Sequence, residues 1–422
     1  MSAPASVADA AFWSTPGLGA VLAALNAQGE EARVVGGAVR NTLLGLPVTD
    51  VDIATTALPE VVVERVRAAG LKAVPTGIAH GTVTVVAAHH GFEVTTLRED
   101  METDGRRAVV RFGRSWAHDA ERRDFTLNAL YATADGTVVD LVGGLADLAA
   151  RRVRFIGDAE ARIREDYLRI LRLFRFHAAY GAGAVDEAAF SAVVGLRAGL
   201  LSLSRERVRA ELLKLLMAPG AAATLSVMSD AGLIQPLLAG LADVRVFRRL
   251  ETLEGEWRAK GWPAPPDPIR RLAALAVRVA DDAERLRDKL RLSNAEGRRL
   301  ASMALPLADP ADDRAARALI YRQGADAACD AALLALARGR AGAENEPLEA
   351  VGRVAAAWSA PRPPFAAADL MQLGLPAGRQ LGAALALAET AWIAADFPLD
   401  ETVIDGLLRE AMARATAAGG PA

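Results

Sequence analysis

The sequence predicts an α+β protein in which a small mixed β-sheet near the N-terminus is followed by an all-helical remainder. Short runs rich in β-branched residues lie between Pro16 and about Gly143, and amphipathic helical patterns follow them. The apolar fraction is 52% but only 5% of residues are aromatic, and the abundant alanine and leucine favour helix over strand. At 422 residues the chain is long enough for several compact units.

The N-terminal region opens with a helix, after which four short runs predict strands. These runs are Ala32 to Val35, Val51 to Ala54, Gly81 to Ala87 and Phe92 to Leu97. The next segment, Arg98 to Arg114, is dense in charge and contains Asp104-Gly105, a pair typical of turns. We therefore expect a mobile surface loop there.

After Gly143-Gly144 the periodicity indicates helices. The first two are predicted over Ala159 to Tyr180 and Ser204 to Met217, with Ser204 as a plausible N-cap. Proline-rich segments at residues 262–266 and 360–364 are the expected boundaries between helical subdomains.

Composition excludes several classes of protein. A formal net charge of −3 means that any nucleic acid must be held by a local basic patch. A single cysteine, Cys329, rules out internal disulfides and zinc sites built from several cysteines, and fits a reducing cytoplasm. No run of about 18 apolar residues predicts a membrane span, and the N-terminus lacks the pattern of a secretory signal. No histidine follows His177, so a His-Asp phosphohydrolase site is not expected in the C-terminal half.

A glycine pair and two aspartates form the most informative motif. Gly36 and Gly37 let the backbone approach a triphosphate, and Arg40 supplies a charged donor to its oxygens. Asp50 and Asp52 are two residues apart, so on a strand they would project to one point and hold Mg²⁺. The motif predicts nucleotidyl transfer. The alternative for the aspartates is a turn and an exposed strand residue.

Glu93 is the best candidate for a third carboxylate. It lies in a later predicted strand that can pair alongside the strand of Asp52. Two-metal nucleotidyl transfer uses carboxylates of this kind, so Glu93 is either a metal ligand or the general base for a 3′-hydroxyl. A solvated strand carboxylate is an equally good interpretation of its spacing.

A second motif runs from Arg122 to Ala129. Its adjacent arginines are able to neutralise phosphate, and Arg123 is the candidate for nucleotide binding. The alternative is a helix start capped by Asp124, with Asn128 facing solvent. Just upstream, we interpret the pair His118-Asp119 as surface.

A third motif, Glu165 to Arg175, bears on the substrate. On a continuous helix Asp166, Arg169 and Arg172 would lie on one face and offer donors and acceptors to the Watson–Crick edge of a base. Protein side chains would then select a nucleotide without a template. The alternative is a salt-bridged surface helix.

Arg207 and Glu211, four residues apart in a later helix, are able to brace the base-reading helix. We interpret them as scaffold.

Together these motifs resemble the class II CCA-adding tRNA nucleotidyltransferases and the related bacterial poly(A) polymerases. The matching segments are Gly36 to Arg40 with Asp50 and Asp52, Arg122 to Ala129, Asp140 to Gly144, Glu165 to Arg175, and Ser204 to Leu216. The resemblance implies a nucleotidyltransferase head at 1–145, a nucleotide-selecting and RNA-binding neck at 146–218, a body at 219–310 and a tRNA-binding tail at 311–422, without a phosphohydrolase domain.

The resemblance also implies roles for individual residues. Asp50 and Asp52 would bind Mg²⁺, and the remaining motif residues would contact the nucleotide: Gly36, Gly37, Arg40, Arg123, Asp166, Arg169, Arg172 and Arg175. The charged segment from Arg98 to Arg114 looks like the family's flexible element, which helps the switch from CTP to ATP. One departure is Asn41, because the family usually has aspartate after the arginine.

The function implied is stepwise addition of C, C and A to the 3′ end of tRNA from CTP and ATP, with release of pyrophosphate, in the cytoplasm. The alternative within the same chemistry is a poly(A) polymerase or an enzyme that adds only A. An alternative of another class is a non-catalytic RNA-binding helical protein with a relic head. That class predicts loss of a metal carboxylate, whereas Asp50, Asp52 and Glu93 are all present.

Overall fold

The computed structural model describes residues 5–103, 108–307, 310–339 and 346–418. The chain divides into two compact units, Met1–Leu237 and Leu238–Ala422. The first unit contains the described β-structure and the second is helical in its described part, so the α+β class with an N-terminal mixed sheet is confirmed.

The described strands of the first unit form two sheets. They are β1 Ala32–Val35, β2 Asp52–Thr55, β3 Lys72–Gly77, β4 Thr82–Ala87, β5 His90–Thr96, β6 Arg98–Thr103, β7 Ala108–Phe112, β8 Leu130–Ala132 and β9 Val138–Asp140. The larger sheet has the order β3-β4-β5-β2-β1-β8-β9, and β6 pairs with β7 in the other. Strands β2 and β5 are parallel and the remaining pairs are antiparallel.

The register of the central strands explains the core of this sheet. Val34 of β1 lies opposite Ile53 of β2, which lies opposite Val94 of β5, and all three side chains are fully buried. Short helices flank the strands: α1 Leu18–Leu25, α2 Gly37–Leu43, α3 Pro59–Ala68, α4 Trp116–Glu121 and α5 Gly144–Ala149. Single 3₁₀ turns lie at Ala11–Ser14, Ile78–His80 and Thr126–Asn128.

The segment from Arg98 to Arg114 is not a plain loop. It forms the antiparallel pair β6 and β7, with Arg98 opposite Phe112. Backbone pairing along two strands of mixed composition therefore prevails over the charge density that favoured a loop. The predicted turn at Asp104-Gly105 lies outside the described residues, and so does any test of its mobility.

The predicted helix from Ala159 to Tyr180 is interrupted. It consists of α6 Ala159–Glu165 and α7 Leu168–Tyr180, and Asp166 between them has an extended backbone with φ −157° and ψ 106°. The remaining helices of this unit are α8 Glu187–Leu196, the 3₁₀ turn Arg197–Ser202, α9 Arg205–Leu216, α10 Ala221–Asp230 and, at its end, α11 Gln235–Leu238. Ser204 occupies the N-cap position of α9, although its side chain makes no capping hydrogen bond.

The described part of the second unit is built from helices. They are α12 Val244–Ala259, α13 Pro268–Ala276, α14 Ala280–Leu290, α15 Asn294–Ala304, α16 Asp313–Gln323, α17 Ala325–Arg338, α18 Glu346–Ala357, α19 Ala367–Gln372, α20 Arg379–Ala394 and α21 Glu401–Ala418. None of the helices in the described ranges combines the length and the apolar character that crossing a bilayer requires.

Candidate active site

The glycine pair forms the turn between β1 and α2. Gly36 has φ 70° and ψ −113°, a backbone conformation that side chains with a Cβ rarely adopt. A Cβ at this position would approach the Asn128 carbonyl oxygen no closer than 3.5 Å. Glycine is therefore required by the backbone torsion and not by lack of space.

Two carboxylates meet where β2 and β5 run side by side. Ile53 pairs with Val94 in parallel register, so the residues before them, Asp52 and Glu93, are neighbours on adjacent strands. Both line the same cavity. The expectation that the strand of Glu93 lies alongside that of Asp52 is confirmed.

Asp50 lies differently from the arrangement that strand alternation suggested. Strand β2 begins at Asp52, so Asp50 belongs to the preceding loop, where its Oδ2 accepts a hydrogen bond of 2.9 Å from the Thr49 hydroxyl. It lines a neighbouring cavity together with His89 and His90. Its carboxylate nevertheless lies close enough to Asp52 to act on it electrostatically.

The pKa of Asp52 is raised, first by desolvation of its carboxyl and then by the nearby carboxylates of Glu93 and Asp50, whereas Arg123 opposes the shift. The side chain is open to the cavity, so the desolvation comes from the surrounding walls. Like charges crowded in this way favour a bound cation.

Asp119 holds the two arginines of the second motif. Its side chain is 1% exposed and receives Arg122 on Oδ1 at 2.6 Å and Arg123 on Oδ2 at 3.1 Å. The Tyr131 hydroxyl donates to the same carboxylate at 2.8 Å. The interpretation of Asp119 as a surface residue is wrong, because helix α4 turns it inward. His118 beside it is exposed.

The alternative interpretation of the second motif, a helix start capped by Asp124 with Asn128 facing solvent, does not hold. Asp124 accepts hydrogen bonds from Asn128 Nδ2 at 3.0 Å and from Arg172 Nε at 2.8 Å. Asn128 is buried and accepts a hydrogen bond from Arg40. These side chains therefore connect the glycine turn, the second motif and α7.

The base-reading residues do not lie along one helix. Asp166 sits at the break between α6 and α7, where its two oxygens accept from the Leu168 amide at 3.1 Å and from Arg207 at 2.5 Å. Arg169 donates to the Arg162 carbonyl at 2.6 Å and to the Glu165 carboxylate. The ladder is thus assembled from α7, which carries Arg169 and Arg172, and from the link before it, because Asp166 caps α6 in an extended conformation and leaves the helical face.

Arg175 points away from the cavity that the other motif residues line. It donates to Glu211 Oε2 at 2.6 Å, and its guanidinium lies 4.2 Å from the centre of the Phe176 ring. Arg172 lies 3.7 Å from the second oxygen of Glu211. The expected bracing by Glu211 is confirmed, whereas Arg207, interpreted as scaffold, reaches into the cavity through its bond to Asp166.

A cavity of about 570 Å³ brings most of the predicted residues together. From the predicted set it is lined by Gly36, Gly37, Arg40, Asp52, Glu93, Arg123, Asp166, Arg169 and Arg172. Asp50 and Arg175 do not line it. Residues outside the predicted set also line it, among them Thr82, Thr95, Arg98, Asp124, Asn128, Phe176 and Arg207.

In the part of the chain that the structure describes, no group of three or more His, Cys, Asp or Glu side chains is arranged to hold a metal ion. A cation bound by one or two carboxylates together with substrate phosphates needs no such group. Asp52 and Glu93, with Asp50 nearby, provide hard oxygen donors and the electrostatic repulsion that a cation relieves. The residues present therefore fit a divalent cation.

Two families of known proteins match segments of this chain. Residues 32–154 match the family described as the poly A polymerase head domain. Residues 184–244 match a family described as the probable RNA and SrmB-binding site of polymerase A.

Two curated relatives illustrate the similarity. The mitochondrial CCA tRNA nucleotidyltransferase 1 of Danio rerio is 37% identical over 372 residues, which cover 86% of this chain and 83% of the relative. The CCA-adding enzyme of Leuconostoc citreum is 46% identical over 219 residues, about half of each protein.

Solved structures share the fold. The CCA-adding enzyme of Bacillus stearothermophilus, in complex with CTP, has a TM-score of 0.72 and 28% identity, and the match covers 94% of this chain and 98% of that one. The Thermotoga maritima CCA-adding enzyme, complexed with tRNA_CCA, has a TM-score of 0.66 at 18% identity, over 97% of this chain and all of the other. With the glycine turn, the paired carboxylates and a relative that matches most of its length, the chain belongs to the family of class II CCA-adding tRNA nucleotidyltransferases.

Proposed function

We propose that this chain adds the 3′-terminal CCA to tRNA from CTP and ATP and releases pyrophosphate at each step. The observation that carries the proposal is the single cavity that joins Asp52 and Glu93 to the arginines and to the pair Asp166 and Arg169. It combines groups for transfer chemistry with groups able to recognise a base. The named relatives favour CCA addition over addition of A alone. A cytoplasmic location stays a prediction.

The transfer forms a bond between the 3′-oxygen of tRNA and the α-phosphorus of the nucleotide, and breaks the bond from that phosphorus to the pyrophosphate oxygen. We assign Asp50 and Asp52 to holding Mg²⁺ and Glu93 to the same ion or to accepting the proton of the 3′-hydroxyl. When bound, Mg²⁺ would lower the pKa of that hydroxyl and stabilise charge on the leaving pyrophosphate.

Arginines supply the positive charge around the triphosphate. Arg123, held by Asp119 and Tyr131, is assigned to the phosphates. Arg40 is 6% exposed, and its guanidinium is bonded to Asn41, Asn128 and Tyr180. Arg40 therefore contributes a fixed positive charge to the cavity wall. One of its two Nη1 hydrogens has no partner among the described residues. Gly36 and Gly37 allow the backbone to approach the nucleotide.

We assign base selection to Asp166 and Arg169, with Arg172 supporting them from α7. In the structure Asp166 pairs with Arg207, and Arg169 pairs with Glu165. To contact a base, Asp166 and Arg169 would exchange these partners for groups of the base. We also keep the four segments 1–145, 146–218, 219–310 and 311–422 as proposed head, neck, body and tRNA-binding tail.

The reaction is tested with purified protein and tRNA that lacks its 3′ CCA. Labelled CTP should be incorporated first, and labelled ATP should be added only after two C residues. A tRNA ending in CC should accept ATP alone. Incorporation of ATP into the CCA-less tRNA without any CTP would overturn CCA addition in favour of an A-adding enzyme.

Base selection is tested with Asp166→Ala. We expect the ratio of kcat/KM for CTP to kcat/KM for ATP to change roughly tenfold or more, since a good bidentate contact to a base carries about 1–3 kcal/mol of discrimination. The dissociation constant for tRNA should change little. Glu160→Ala is the matched control, because Glu160 pairs with Arg164 on the exposed side of α6. An unchanged ratio in Asp166→Ala would refute the assignment.

A further inference from the structure

The side chain of Asn41 uses both ends of its amide. Its Oδ1 accepts from Arg40 Nε at 3.1 Å and from Arg40 Nη2 at 3.0 Å, and its Nδ2 donates to the Pro47 carbonyl at 2.8 Å. Exchange of the oxygen and the nitrogen would place two donors against the guanidinium and an oxygen against the carbonyl. The network therefore fixes the orientation of the amide.

At one end of this amide lies the wall of the nucleotide cavity. The Arg40 guanidinium also donates to the Tyr180 hydroxyl at 2.8 Å and to Asn128, and it lies 4.0 Å from the centre of the Tyr180 ring. These contacts leave it little rotational freedom. Asn41 is the partner that engages two of its nitrogens at once.

At the other end lies the loop that carries Asp50. Residues 44–51 connect α2 to β2, and the main-chain oxygen of Asn41 accepts from the amides of Leu44 at 3.1 Å and Leu46 at 2.8 Å. With the bond to Pro47, the loop is tied to Asn41 through both its main chain and its side chain. Because Asp50 lies outside β2, its position depends on this loop.

We propose that Asn41 is a positioning residue that couples Arg40 in the nucleotide cavity to the loop that presents Asp50. The proposal rests on the proposed function and adds a residue to its machinery. An aspartate at position 41 could pair with Arg40 but could not donate to Pro47. In this chain the amide nitrogen is therefore the functional part of the side chain.

The test is Asn41→Asp, with turnover and CTP binding measured separately. We expect kcat for CTP addition to fall roughly 10-fold to 100-fold, as for small displacements of catalytic groups. The KM and the dissociation constant of labelled CTP, measured by equilibrium dialysis, should stay within about threefold because the contact to Arg40 is kept. Asn41→Ala removes both ends and should raise the dissociation constant as well.

Asn26→Asp is the matched control in the same unit. Its Nδ2 likewise donates to main-chain carbonyls, those of Leu22 at 3.0 Å and Ala32 at 3.2 Å, but it lines a separate cavity. It should lower the thermal unfolding midpoint and leave kcat unchanged. Asn41→Asp behaving in this way would overturn the positioning role while the proposed function stands. A wild-type chain that adds no CTP would overturn both.

Discussion

Replacing Asp52 by asparagine should lower the rate of CTP addition by roughly 10³-fold, because metal-assisted stabilisation of the transition state is worth several kcal/mol and about 1.4 kcal/mol is tenfold in rate. Asparagine keeps the shape of the side chain and removes the charge. Single-turnover incorporation of labelled CTP into CCA-less tRNA measures the effect. The double variant Asp50→Ala with Asp52→Ala should show no incorporation at all.

The fold should tolerate this change. Within the described residues the Asp52 side chain makes no hydrogen bond. Its pKa is raised by desolvation and by the carboxylates of Glu93 and Asp50, so removing its charge relieves both the desolvation cost and the repulsion. The thermal unfolding midpoint should stay at or above that of the wild type. Glu60→Gln on the exposed first turn of α3 is the control for loss of one negative charge in the head. Activity within tenfold of wild type in Asp52→Asn, or incorporation by the double variant, would mean that the metal assignment is wrong.

Replacing Glu254 by glutamine should destabilise the second unit by about 3–5 kcal/mol, the typical result of removing one partner from a buried ion pair. Glu254 is fully buried and accepts from Arg270 at 2.8 Å and Arg271 at 2.9 Å. Arg270 also pairs with Asp330, which pairs in turn with Arg299. Glutamine would turn an amide group toward guanidinium donors and leave the network with an uncompensated positive charge.

Urea unfolding followed by tryptophan fluorescence reports on this change, since Trp257, Trp262, Trp358 and Trp392 lie in the second unit. The matched control is Asp405→Asn, which breaks the exposed pair with Arg409 on α21 and should cost about 0–1 kcal/mol. Equal midpoints for the two variants would show that the buried network does not stabilise the fold.

Local pattern was a good guide to the head. The strands at residues 32–35, 52–55 and 82–87 follow runs of β-branched residues, and the glycine turn follows from its position between a strand and a helix. The pair Asp52 and Glu93 was predictable because each directly precedes a buried apolar residue of its strand, Ile53 or Val94. Pairing with a neighbouring strand decided the rest. The strand β6 has a charged sequence that local propensity does not assign to a sheet.

The arrangement of the neck was harder to predict for a physical reason. A helical period through residues 159–180 contains no proline or glycine, so the sequence carries no breaker at Asp166. At the interruption the Asp166 carboxylate accepts one tertiary bond, from Arg207, and one local bond, from the Leu168 amide, and the tertiary bond has no signal in the local sequence. The sequence did contain a signal that Asp119 turns inward. Asp119 lies on the short helix α4, four residues before Arg123, and this spacing is typical of paired charges.

The torsion at Gly36 also constrains how this chain can evolve. A residue fixed by contact can be exchanged when its neighbours change with it, as in a core that is repacked. Gly36 has room for a Cβ, and what excludes other amino acids is its own backbone angle. No compensating change in a neighbouring side chain removes that strain. Substitutions can therefore reshape the cavity around the turn while residue 36 stays glycine.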